Sequence, residues 1–257
     1  MQSFSPDIRL EALRAEIRAI QASPSSGTRA RLPFGVHAMD SRIGGGLVPA
    51  GLHEIISESC ALSDDAAATL FVAGIAARLG GSSGAVLWAL TRRDLFAPSL
   101  AQAGLCPNRM IYAECRSDDE ALPVMEEGLR HGGLAVVVGE IGRATMTAMR
   151  RLQLAAEDSG ATALMLRRWR RGSEDPLASP SAAVTRWRIG CVPSELLPVS
   201  GIGRPRWKVE LVRQRDGQSY EWILEGTDEA GRLALPVEPS HRPAAPDRGA
   251  AQVRSAA

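Results

Sequence analysis

Ser57, Glu58, Ser59, Asp64, Asp65 and Thr69 fall in the stretch EIISESCALSDDAAATLF. An apolar run there passes through a short polar loop into a helical pattern. Nucleotide-binding proteins place a phosphate cradle in such a strand–loop–helix frame. The cradle needs the pattern G-x-x-x-x-G-K-[ST]: backbone N–H groups wrap the phosphates, the lysine neutralises them and the hydroxyl holds magnesium. No glycine occurs between Gly51 and Gly74, and the only lysine in the chain is Lys208. Asp64 and Asp65 stand where loop meets helix. Each would repel a phosphate charge about 5 Å away by roughly 3 kcal/mol at an effective dielectric of 20. The residues therefore predict a degenerate phosphate loop with no bound nucleotide, no catalytic role and no cofactor. Glu140 closes the apolar run LAVVVGEI, where a magnesium-binding Asp would otherwise stand. It is either a metal-reaching carboxylate or a solvated strand end.

A second set of residues is basic. Residues 167–215 carry a net charge of +7, and the remainder of the chain −6. Arginines and tryptophans interleave at Arg167, Arg168, Trp169, Arg170 and Arg171, at Arg186, Trp187 and Arg188, and at Arg204, Arg206, Trp207 and Lys208. Such a pattern can track a nucleic-acid backbone and stack a base, or it can meet an acidic partner. The competing reading makes the tryptophans core anchors and the arginines a solvated face. Alternation favours that reading for Trp207 more than for Trp169.

Four cysteines, Cys60, Cys106, Cys115 and Cys191, form no CxxC pair. They predict free thiols, with neither a metal site nor a disulfide framework. No window approaches the roughly 20 apolar residues of a membrane span. The charged N-terminus lacks the apolar core of a signal peptide, so a cytoplasmic location is expected.

These residues must be positioned by recognisable elements. From about residue 51 to 169, apolar strands alternate with helices, the mark of an α/β fold with a mainly parallel sheet. The strands are GLHEII, AVLWAL, RMIYAE, LAVVVGEI and ATALMLRRW. Helices are expected over Asp64–Leu79, SLAQAG, the segment opened by a Ser117/Glu120 capping box, and the segment stopped by Gly160. AVTRWRIG, RPRWKVELVRQ and SYEWILEG then form an antiparallel extension, with RDGQ as a hairpin turn. Three regions follow: 1–31, an amphipathic helix and linker; 32–235, the core with its C-terminal hairpin; and 236–257, a disordered tail. The first helix aligns Leu10, Leu13, Ile17 and Ile20 on one face. That stripe must bury itself on its own domain or on a partner.

Met39, Asp40, Gly44 to Leu47, Gly51, Glu54 and Ile55 resemble the segment that precedes the phosphate loop in RecA. Over residues 10–225 the closer resemblance is to ImuA-type proteins of bacterial SOS mutagenesis cassettes. It is carried by LHE, VLWAL, RRW, TRWRI and GRPRWKVELVRQRDG. The resemblance implies a RecA-like core and a non-catalytic accessory factor in translesion synthesis. Its implied partners are an ImuB-like polymerase relative, an error-prone C-family polymerase subunit, RecA, and DNA, with no membrane. A helix at Leu10, Leu13, Ile17 and Ile20 would then serve self-association or a partner. Two other readings stand beside it: a SulA-like division inhibitor that binds FtsZ, and an ATP-dependent recombinase with an irregular phosphate loop.

Overall fold

A computed structural model describes residues 30–169, 172, 174–194, 203–214 and 217–236. Eight strands form one sheet: β1 Leu52–Ser57, β2 Ala85–Leu90, β3 Met110–Glu114, β4 Leu134–Glu140, β5 Thr162–Arg167, β6 Thr185–Val192, β7 Arg206–Gln214 and β8 Tyr220–Glu225. Their order is β3-β2-β4-β5-β1-β6-β7-β8. The first six pair in parallel, and β6–β7 and β7–β8 are antiparallel. This is the α/β, RecA-like architecture the sequence predicts, with one adjustment. AVTRWRIG belongs to the parallel set, because β6 docks on β1, and the antiparallel extension begins with β7.

The apolar runs explain why β1, β4 and β5 sit in the middle. All six residues of β1 and of β5 are buried, so each strand needs cover on both faces. α1 (Leu62–Gly80) and the short α2 (Ala97–Gln102) cover one face; α3 (Asp118–Arg130) and α4 (Met146–Ser159) cover the other. Alternation along each strand then assigns side chains to faces. Ile55, Val138, Leu166 and Trp187 face α1, while Leu52, Val137, Met165 and Ala163 face α3 and α4. Phe34, Phe71 and Trp187 form an aromatic cluster on the α1 face.

Three junctions follow from glycine or cap chemistry. The Gly44–Gly46 turn has φ positive throughout and lets Leu32 bridge to Leu47; a Cβ on Gly46 would meet the Leu32 carbonyl. Thr145 caps α4 by accepting from Ala148 N, and Gly160 ends it in the left-handed region. The capping box at α3 does not form, because the N–H that reaches Glu120 belongs to the residue before the N-cap. Glu120 accepts from Arg116 N at 2.8 Å, and the Ser117 hydroxyl caps nothing. Asp118 instead accepts from Gly142 N and Arg143 N, which ties α3 to the loop after β4.

After β8 the chain turns back over α1. Thr227 and Gly231 approach Gly74, residues 229–231 approach Gly104, and Leu233 enters the core. α1 is therefore packed between sheet and strap, which is why its buried residues surround it and include so many alanines.

Candidate functional site

Parallel sheets collect ligand-binding chemistry at the C-terminal ends of their strands. Here Ser57 ends β1, Glu140 ends β4 and Arg167 ends β5, so the two residue sets singled out in the sequence meet at one rim.

The degenerate phosphate loop is occupied by its own side chains. Asp64 accepts from Ser59 Oγ at 2.6 Å and from Cys191 N at 2.8 Å, which ties the loop to β6. Glu58 takes a 2.6 Å bond from Lys208 and lies over Gly190, where a Cβ would strike its carboxylate. The hydrogen bond to Glu58 is the main reason the Lys208 ammonium is held above its usual pKa. Thr69 Oγ1 donates back to the Asp65 carbonyl. Ser57 is fully buried. The single lysine of the chain is thus engaged with Glu58 and Glu221.

Three of the arginines lie inside the fold. Arg167, Arg168 and Arg186 are 4%, 9% and 6% exposed, so they form neither a solvated face nor an open basic strip. They belong to two ionic clusters, one on each face of the sheet. On the α3/α4 face, the fully buried Glu54 holds Arg167 at 3.1 Å and Arg186 at 2.6 Å. Arg186 also donates to the Pro176 and Leu177 carbonyls and so fixes the loop after β5. Burial pushes the Arg167 pKa down, and Glu54 opposes that shift.

On the α1 face, Arg168 lies 3.1 Å from Glu140, 3.5 Å from Asp94 and 3.6 Å from Asp65. Arg92 joins it, 2.7 Å from Asp94 and 3.6 Å from Asp65. Trp88 Nε1 donates to Glu140 at 3.1 Å. Burial raises the Glu140 pKa, and the Arg168 charge and hydrogen bond oppose that rise. Glu140 is therefore neither a solvated strand end nor an open carboxylate: its charge faces an internal guanidinium. The described residues contain no group of three or more His, Cys, Asp or Glu side chains that could hold a metal ion.

Arg188 and Arg204 are also paired with carboxylates. Arg188 meets Asp175 at 2.7 Å and Glu210 at 3.9 Å, and Arg204 meets Glu225 at 2.8 Å. Arg206 is half-buried at the start of β7. Trp187 and Trp207 are core residues, and Trp169 is half-buried. Arg170, Arg171, Leu10, Leu13, Ile17 and Ile20 lie outside the described residues. Four participants were not singled out by residue pattern as parts of a charge network: Glu54, Trp88, Arg92 and Asp94. The available signal was a carboxylate inside an apolar strand, as Glu54 is in GLHEII, since such a group demands a partner.

Comparison with known proteins gives a relative over most of this architecture. The chain is 38% identical over 219 residues to Protein ImuA of two Caulobacter vibrioides strains, covering 80% of this chain and 88% of each relative. It belongs to the ImuA family. No family model matches it. In this ImuA-family chain, the rim of the RecA-like sheet is closed by the protein's own charges. Asp64 and Glu58 fill the loop, and Arg168 sits among Asp65, Asp94 and Glu140.

Proposed function

We propose that this chain is a non-catalytic accessory scaffold of damage-induced mutagenesis in translesion synthesis. In this reading it links an ImuB-type polymerase relative and an error-prone C-family polymerase subunit to RecA or DNA. Membership of the ImuA family supports the system. The closed rim supports the absence of catalysis, and the Arg168–Glu140 contact is the observation that carries it. A nucleotide needs cations and free backbone N–H groups at this rim, and here the cations are already neutralised by internal carboxylates. The proposal takes the protein to act in the cytoplasm. No helix among the described residues is long and apolar enough to cross a membrane.

The partially exposed Arg188 and Arg204, with Arg206 and Lys208 on the same hairpin, are the basic groups this reading offers to DNA or an acidic partner. Arg167, Arg168 and Arg186 are held by internal carboxylates and lie outside that surface. Co-purification of the full-length chain with an ImuB-type protein tests the proposal. Retention at micromolar concentration is expected, and its absence would overturn the scaffold reading.

A further inference from the structure

A cleft opens beside the Arg168 cluster, between the first turns of α1 and the segment 92–100. Its volume is about 230 Å³. Leu62, Leu70, Leu95 and Phe96 line it, together with Asp65, Asp94 and Arg168. Two features mark it as a docking surface. Leu62 and Phe96 are 78% and 67% exposed although both line the cleft. Asp65 Oδ1 and Arg168 Nε are buried without a hydrogen-bond partner among the described residues. The charge is also unbalanced: among the described residues, Asp65, Asp94 and Glu140 pair with Arg92 and Arg168. An apolar lining beside carboxylates suits an apolar helix face flanked by basic side chains, whose stems pack while their heads reach the carboxylates.

We infer that the occupant is the chain's own N-terminal segment, residues 8–20. Its apolar stripe is Leu10, Leu13, Ile17 and Ile20, and at helical spacing Arg9 and Arg14 border that stripe on its two sides. The described chain begins at Ala30, and the Pro33 carbonyl accepts from Arg78 near the C-terminal end of α1. From Arg78 back to Ala66 is about 18 Å along the helix at 1.5 Å per residue. The linker 21–30 can span roughly 33 Å when extended, so it reaches the cleft with slack. Tethering makes the contact intramolecular, with an effective concentration in the millimolar range. Occupancy covers Leu62 and Phe96 and gives Asp65 and Asp94 a third cation. The inference does not depend on which partners the scaffold binds.

Hydrogen exchange on the full-length chain tests it. In the native protein, amides of residues 62–70 and 95–103 should exchange slowly. Leu13→Asp with Ile17→Asp should speed them about tenfold and leave β4 and β5 unchanged. Phe96→Ser, a change on the cleft side, should in turn expose the N-terminal segment to trypsin after Arg14. Cleavage there should approach the rate of a synthetic peptide of residues 1–24. Exchange and cleavage unchanged in both variants would overturn the inference. Protection that fades on dilution from 100 to 1 μM would also overturn it, because the occupant would then be a second copy. So would protection that appears only when a polymerase-type partner is added.

Discussion

The Arg168 guanidinium lies 3.1 Å from the Glu140 carboxylate, at the end of β4 where a RecA-like site would work on a nucleotide. Both residues are buried, and Trp88 donates a second hydrogen bond to Glu140. A buried pair of this kind adds little over a well-packed apolar pair, but removing one partner strands the other. Arg168→Met should therefore destabilise the fold by about 3–5 kcal/mol. Arg168→Met combined with Glu140→Leu should recover much of the loss. Denaturant titration measures both, and equal losses in single and double variants would contradict the coupling.

The same variant carries a pH signature. Burial already raises the Glu140 pKa, and Arg168 is the main group holding it down. Without Arg168 the carboxyl stays protonated in the fold to higher pH than in the unfolded chain. A raised carboxyl pKa favours folding at low pH, and that contribution is lost as pH rises. Arg168→Met should thus be closest to the native protein near pH 5 and weakest near pH 8. A constant difference between pH 5 and 8, followed by thermal unfolding, would exclude Glu140 as the titrating group.

His53 gives the opposite slope. It is fully buried, with its ring nitrogens 2.7 Å from Thr185 Oγ1 and 2.8 Å from the Val48 carbonyl. Burial lowers its pKa from 6.5 to about 4. The unfolded chain therefore binds a proton between these values that the folded chain refuses. Stability is full above pH 6.5 and declines as pH falls toward 4, by roughly 3 kcal/mol for a shift of this size. The difference in stability between native protein and His53→Gln should shrink over that window. Parallel curves would place the acid sensitivity elsewhere.

These clusters mark the boundary of what the sequence reveals. GLHEII, LAVVVGEI and ATALMLRRW predict buried parallel strands because continuous apolar runs demand cover on both faces. The alternation of Trp207, Val209 and Leu211 likewise predicts β7, with one buried face. The arginines are harder to read, because their partners are distant. Glu54 precedes Arg186 by 132 residues, and Asp65 and Glu140 come from an α-helix and a strand that only the sheet order brings to Arg168. Net charge along the chain cannot distinguish an internal pair from an external face. Likewise, nothing local in TRWRI shows that β6 will dock in parallel on β1.

The closed phosphate loop predicts silence toward nucleotide. A ligand at 100-fold its Kd stabilises a fold by about 2.7 kcal/mol, a shift of several degrees. Magnesium–ATP at 1 mM should leave the melting temperature within 1 °C, an order-of-magnitude bound that excludes a Kd near 10 μM. A rise of several degrees would show that Asp64 and Glu58 yield to phosphate, and would weaken the scaffold proposal directly.

The strap over α1 makes the last prediction. A Cβ on Gly74 would come within 2.5 Å of Thr227 Cγ2 and 3.1 Å of the Gly231 carbonyl. In an isolated helix Gly→Ala gains about 1 kcal/mol, so a net loss would have to come from the strap. Overpacking costs about 1–3 kcal/mol, and the cost is relieved when the obstructing atom is removed. Gly74→Ala should accordingly destabilise the protein and speed exchange of the residue 226–236 amides. Gly74→Ala with Thr227→Ser deletes the clashing methyl and should restore most of both. If Gly74→Ala alone stabilises the chain, α1 has room above it, and the strap is not what confines that helix.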